Sequence, residues 1–367
     1  MATVDRIGGG APRRLAPLSP LAARVVTDSI WSRAIGGTAA LALPVAGIGL
    51  GLAAVLSVGG AAVPPGLGFV TVIVALSVLD SLAGAAAAAV FCGGVVLCGG
   101  VSSADSLRGL LGIGLLFFAV PLIATAARPL RRPRGATAAD HFDRAADVVI
   151  VSLIAAWSAE KLLGALPGLA RLSFPVASHG VVVAEAVLGA AVVRMVGETA
   201  ASWWYPARLD TVLPEAVPEA GTVQQLLSIA FQTALLLFIA VAFLGNVWEL
   251  WVGAALFAGP QLVGFVKDRL PNVPWLVRAL PAGIVKTTTM MVVGTWFARL
   301  VASRITNPAT YLTEGFVVLS LPGLALTVLA WFGRDGKKWQ LNWVTRVAGI
   351  GVLTLGVLMV QKVVSIG

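Results

Sequence analysis

Charge is scarce in this sequence. Asp, Glu, Lys and Arg make up 12% of its 367 residues, about half the share usual in a soluble domain. Histidine and cysteine are scarcer still, at two each. The cysteines, Cys92 and Cys98, share one apolar stretch six residues apart. That spacing is neither CxxC nor a zinc pattern, so they read as packed thiols, with no metal or cofactor implied. HExxH, GxSxG and GxxxxGK[ST] do not occur, nor does a hydrophilic stretch long enough for a soluble catalytic domain. These absences disfavour an autonomous enzyme and a nucleotide-driven machine, and they leave no residue to name as catalytic.

What is abundant is apolar. Hydrophobic residues are 58% of the chain and its mean hydropathy is +0.92. Runs of about 18 or more apolar residues recur from position 35 onward, as in LLSIAFQTALLLFIAVAFLG, and they do not alternate as barrel strands would. The expectation is an all-α, polytopic transmembrane bundle of about ten or eleven segments. They fall near 35–58, 68–80, 82–101, 107–127, 146–166, 177–200, 223–244, 247–266, 282–302, 311–333 and 341–361. Residues 1–34, with Arg6, Arg13, Arg14, Arg24 and Arg33, read as a basic cytoplasmic tail, and 35–367 as a single membrane domain. The first apolar run reads as a retained helix, being too long for a signal peptide. The net charge of +9 fits basic loops on the inner side of a bacterial plasma membrane better than nucleic-acid binding. RPLRRPRG from Arg128, the loop with Lys267, Arg269 and Arg278, and that with Arg334, Lys337 and Lys338 all belong on that side.

This requirement constrains residues 68–101. A single long helix there would put the N-terminus and the Arg128 loop on opposite faces, whereas a hairpin or re-entrant pair keeps them together. LSVLDSLAG, with Asp80, Ser81 and Gly84, is the expected break, and non-helical backbone at such depth has to be enclosed by protein or face a watery cavity. VALSVLDSLAGAAAAAVF (74–91) lies beside VAFLGNVWELWVGAALF (241–257), Asp80 and Gly84 matching Glu249 and Gly253. The pairing suggests two halves, 68–200 and 223–362, as a five-plus-five inverted repeat of the kind transporters use.

Ionisable residues within apolar runs are the functional candidates, since each costs about 2.5–3.5 kcal/mol at a helix centre. In VVVAEAVLGAAVVRMVGE (181–198), Arg194 and Glu198 stand four apart and are expected to pair near the cytoplasmic end, where snorkelling is cheap. Glu185 points away from them, about 12 Å inside the membrane, with no local partner. It faces either the bundle or a cavity. Glu160 and Lys161 diverge by about 100° and are not expected to pair; Glu160 faces inward and Lys161 snorkels. Asp80 either caps the turn or contributes to an ion or substrate site at a broken helix. Glu185, Glu160, Asp80 and Lys161 are thus the pathway candidates. Lys286, Thr287 and Thr288, in PAGIVKTTTMM, could hold an anionic head group at a helix start, although proline and threonine there also have ordinary structural roles. Glu249, Glu314 and His179 read as interfacial, and tryptophans near segment ends form the aromatic belts.

EGFVVLSLPGLALTVLAWFGRDG, from Glu314, resembles a segment of the membrane subunit of poly-gamma-glutamate synthases. There an apolar run leads into Pro-Gly-Leu and a charged turn with glycine, matched here by Pro322, Gly323, Leu324 and Arg334 to Gly336. Ala159-Glu160-Lys161 echoes an earlier part of that family. The resemblance covers a small part of this longer chain and implies handling of an envelope polymer beside a partner enzyme. Two functions follow. One is a carrier or flippase-like transporter, proton- or cation-coupled, for an anionic or lipid-linked solute. The alternative is a non-catalytic membrane subunit of an envelope synthesis, export or secretion complex. The expected partners are the lipid bilayer and other membrane subunits or further copies of this chain.

Overall fold

A short helical hairpin packs among longer helices in the first half of the chain. The computed structural model describes residues 20–124, 138–212, 221–265 and 313–317, and a few single positions outside these. Lys286, Thr287, Thr288, the Arg128 loop and all but Leu324 of the Pro-Gly-Leu segment lie outside the described residues. The chain divides into two units, Met1–Gly221 and Thr222–Gly367. Every regular element among the described residues is helical.

Among the described residues, four stretches are long and apolar enough to cross a membrane: Ala22–Ser57, Arg144–Ala170, Pro175–Trp204 and Thr222–Leu244. Their most apolar windows are only 11–39% buried by protein. Leu56, Leu97, Phe231 and Val45 are among the large apolar side chains left exposed. In water such faces would drive aggregation; against acyl chains they cost nothing. These are the helices of a membrane-embedded protein.

The first unit begins with α1 (Pro20–Asp28) and α2 (Ile30–Gly36). A 3₁₀ turn leads into α3 (Ala42–Ser57). The hairpin follows, α4 (Leu67–Leu79) and α5 (Ser81–Leu97), broken at Asp80 alone. Then come α6 (Ala104–Ala124), α7 (Ala138–Ala170), a 3₁₀ turn at Pro175–His179, α8 (Gly180–Trp204) and α9 (Pro206–Val212).

Small residues set the packing. A Cβ on Gly47 would collide with the Ala83 carbonyl oxygen, and one on Gly51 would sit 2.7 Å from that of Ala87. Gly94 meets Val55 in the same way. So α3 runs parallel to α5 at backbone contact, a small-residue seam suited to lipid, where dispersion and close approach replace the hydrophobic drive. The hairpin closes just as tightly: Gly84 abuts Ser77 across the break, and Gly60 and Gly100 meet near Cys98 at the opposite end. Gly109 lies against Ala170, and Gly112 against Leu166 and Leu169, so α6 and α7 are antiparallel. His141 meets Trp203 edge to face at one end of α7 and α8, while Gly180 meets Glu160 at the other.

All elements of this unit therefore share two ends. The N-terminal end gathers α1, α2, the start of α7, the end of α8 and α9. The far end gathers the turns at 58–66, 98–103 and 171–179. Residues 20–33, expected as part of the basic tail, are in fact mostly helical, and Ile30, Ala34, Ala201 and Leu209 pack together with Trp31 against them.

In the second unit, α10 (Thr222–Leu244) and α11 (Trp248–Val263) pack on each other across a turn containing Gly245 at φ +75°. Gly253 lies against Phe316.

Candidate functional site

Three separate segments meet at the hairpin tip, and each brings polar groups into an otherwise apolar interior. With φ −139° and ψ 109°, Asp80 is the single extended residue between α4 and α5. This geometry suits a helix N-cap, and its side chain fills the role: Oδ1 accepts from the Leu82 and Ala83 backbone N–H groups at 3.0 Å each. From the junction of α1 and α2, Ser29 donates to Asp80 Oδ1 and Ser32 to Oδ2, both at 2.8 Å. Ser29 Oγ also accepts from the Leu82 N–H at 3.1 Å. Asp80 thus caps its helix and pins the N-terminal helices to the tip with one carboxylate. Trp31 adds a bond from Nε1 to the Leu79 carbonyl at 3.2 Å, and its ring packs so closely on Gly197 that a Cβ there would collide.

Arg194, from α8, is the cation of the cluster. Nη1 donates to the Val78 carbonyl at 2.8 Å and to Ser81 Oγ at 3.3 Å; Nη2 donates to the Asp28 carbonyl at 3.4 Å; Nε pairs with Glu198 Oε1 at 3.1 Å. Ser81 passes the contact on, donating to Asp28 Oδ2 at 3.3 Å. Arg194 and Glu198 are both 0% exposed, and Asp28, Ser29, Ser32, Asp80 and Ser81 are buried with them. Glu198 Oε2 has no hydrogen-bond partner among the described residues. By helix rise Arg194 lies about 21 Å along α8, itself about 37 Å long.

The other sequence candidates lie elsewhere. Glu185 is on the exposed face of α8. Residues 175–179 form a 3₁₀ turn and α8 starts at Gly180, so Glu185 stands about 8 Å along the α-helix, within the apolar stretch Pro175–Trp204. Glu160 and Lys161 do pair, at 2.7 Å, contrary to the expectation from their adjacency. Long flexible side chains at the far end bend toward each other despite diverging Cβ directions. Arg194 and Glu198 pair as expected, but in a sealed interior rather than snorkelling to an aqueous edge. His179 is exposed, with Ser178 and the Pro175 carbonyl as neighbours. Glu249 is half-buried in the first turn of α11, whose cap, Val247, makes no side-chain bond. The match between Asp80 and Glu249 therefore does not extend to capping chemistry.

Sequence reasoning missed Asp28, Ser29 and Ser32. The signal was present: VVTDSIWSRAI carries polar residues at positions 28, 29 and 32 within an apolar frame, a spacing that places Ser29 and Ser32 on one helical face. No group of three or more His, Cys, Asp or Glu among the described residues is placed to hold a metal ion. The cluster can lock or release the hairpin tip, hold a cation among oxygen atoms, and keep charge away from lipid. A scan against protein-family models and searches of curated proteins and of solved structures found no match.

Proposed function

We propose that this chain is a multipass protein of a bacterial inner membrane, with its N-terminus in the cytoplasm, acting as a carrier or flippase-like transporter for an anionic or lipid-linked solute. The observation that carries this reading is the buried polar cluster at the tip of a broken-helix hairpin. At about 20 Å, α4 is too short to cross a hydrocarbon core of about 30 Å, so the hairpin re-enters and its tip ends inside the bundle. Broken helices with charged groups at membrane depth are a recurrent means of building a transport site. Arg24, Arg33, Arg144 and Arg208 belong to the N-terminal end of the first unit, against Arg108, Lys161 and Arg171 toward the far end, and this balance supports a cytoplasmic placement of the N-terminal end. The unit boundary at Gly221 also falls between the proposed repeat halves, 68–200 and 223–362.

Coupling to protons or cations is assigned to the tip, where Asp80 and Arg194 meet the chain's N-terminal helices, rather than to Glu185, Glu160 and Lys161. Uptake into proteoliposomes under an imposed pH or sodium gradient tests this. Wild type and Glu185→Gln are expected to carry a lipid-linked or anionic solute at similar rates, and Asp80→Asn at a much lower one. No gradient-dependent flux in wild type for any such solute, or equal flux in Asp80→Asn, refutes the reading.

A non-catalytic membrane subunit is the second reading, and the placement of Glu185 favours it. A carboxylate on an exposed face, with Val181, Val182, Val192 and Val196 also exposed, suits contact with another membrane protein. Co-purification of a stoichiometric partner that Glu185→Ala abolishes would establish it.

A further inference from the structure

We infer that the hairpin tip is a cation-binding site whose resident ligand is the chain's own Arg194 side chain, and that removing this side chain leaves a site selective for guanidinium ions. Two helix C-termini point at the same place. Val78 is next to last in α4 and Asp28 is last in α1, so their carbonyls lie at helix C-termini, where the negative pole sits. Both accept from the Arg194 guanidinium, at 2.8 and 3.4 Å. Ser81 Oγ and Glu198 Oε1 complete a set made only of oxygen acceptors. Glu198 Oε2, buried and without a partner among the described residues, shows that the acceptors there exceed what one guanidinium satisfies.

The geometry suits a planar, forked cation rather than a metal. A guanidinium presents N–H groups in fixed directions, which is how one group reaches a carbonyl, a hydroxyl and a carboxylate at once. Arg194 reaches this position from α8, which also supplies Glu198, whereas its other acceptors come from α1, α4 and α5. The side chain is therefore a tether that holds the re-entrant tip and the N-terminal helices to a long apolar helix. A cation occupying the same acceptors would hold α1, α4 and α5 together and would engage α8 only through Glu198, without the covalent tether of the arginine. This assignment does not rest on the transport reading, because its test reads stability rather than flux.

The experiment is chemical rescue of Arg194→Ala, purified in detergent and melted with guanidinium chloride, sodium chloride or tetramethylammonium chloride at matched low millimolar ionic strength. The variant is expected to melt below wild type and to regain more than half of the lost melting temperature with guanidinium, saturably. Sodium and tetramethylammonium should restore little, and wild type should not respond to any of the three. Adding Glu198→Gln should weaken the rescue. Absence of rescue, or rescue by sodium equal to that by guanidinium, overturns the assignment. If Arg194→Ala does not yield folded protein, Arg194→Gln, which retains a donor for the Val78 carbonyl, takes its place under the same criteria.

Discussion

Replacing Asp80 by alanine removes the acceptor of four hydrogen bonds at once, and the structure fixes which donors are then stranded. The Leu82 N–H keeps Ser29 Oγ as an acceptor, and the Ser32 hydroxyl keeps the Ser29 carbonyl at 2.9 Å. The Ala83 N–H and the Ser29 hydroxyl have no second acceptor among the described residues. Loss of the helix cap accounts for the first, at about 1 kcal/mol. A buried hydroxyl left without its partner adds about 1–3 kcal/mol. Together Asp80→Ala is expected to lose about 2–4 kcal/mol of stability. Asp80→Asn keeps the Oδ1 contacts, and the Ser32 hydroxyl can turn to accept from the new amide. It loses mainly the charge contribution, about half the strength of those bonds, and should cost less than alanine. Equilibrium unfolding in mixed dodecylsulfate micelles, followed by tryptophan fluorescence, measures both. An alanine variant within about 0.5 kcal/mol of wild type, the level of an indifferent surface change, would refute the capping and pinning roles. So would an asparagine variant as damaged as the alanine one.

Two further outcomes follow from the packing and the threading. Gly51→Ala places a methyl 2.7 Å from the Ala87 carbonyl oxygen, so α3 and α5 must separate at a cost of about 1–3 kcal/mol; Gly49→Ala, which meets nothing within 4 Å, should be neutral in the same unfolding assay. Cys98 is exposed at the far end of the first unit, opposite the basic N-terminal end. In intact spheroplasts a membrane-impermeant maleimide should label it from outside, and labelling only after the membrane is breached would reverse the proposed orientation.

Much of the helix layout was legible because apolar run length is a strong signal. The expected breaks at residue 80, between 101 and 107 and near 244–247 fall where α4, α5, α6, α10 and α11 begin or end. Asp80 was legible as a break because an acid followed by Ser and, four positions on, Gly interrupts an unbroken run. What the sequence did not yield was the destination of each charge. Helical periodicity places Glu185 opposite Arg194, and that much holds, but it does not say which of the two faces lipid. That is decided by which neighbours pack where, and the small residues of α3 and α5 are nearly uninformative on the point. The helices within residues 20–36 are hard to read for a related reason. Arg24 and Arg33 pull the local average toward a solvated tail, whereas Arg33 bonds the Val26 carbonyl at 2.8 Å and leaves Ile30 and Ala34 to pack inward.

A membrane interior could be filled more cheaply than by an arginine and a glutamate. Replacing a buried pair with apolar residues of similar volume is often neutral or stabilising by about 1–4 kcal/mol, whereas removing one partner costs about 3–5 kcal/mol because the survivor is left as an unpaired buried charge. The cluster allows these to be separated. Glu198→Leu alone leaves Arg194 with only carbonyl and hydroxyl oxygens and should fall within the larger range. Adding Arg194→Met removes that stranded charge but takes away the donor to the Val78 carbonyl. The double variant should therefore be more stable than Glu198→Leu alone, yet should not exceed wild type. A double-mutant cycle by micelle unfolding measures the coupling directly. Additive losses would mean that Arg194 and Glu198 act independently despite their 3.1 Å contact. A double variant more stable than wild type would mean that the arginine contributes nothing to holding the tip, and that the hairpin is fixed by Asp80 and the glycine seam alone.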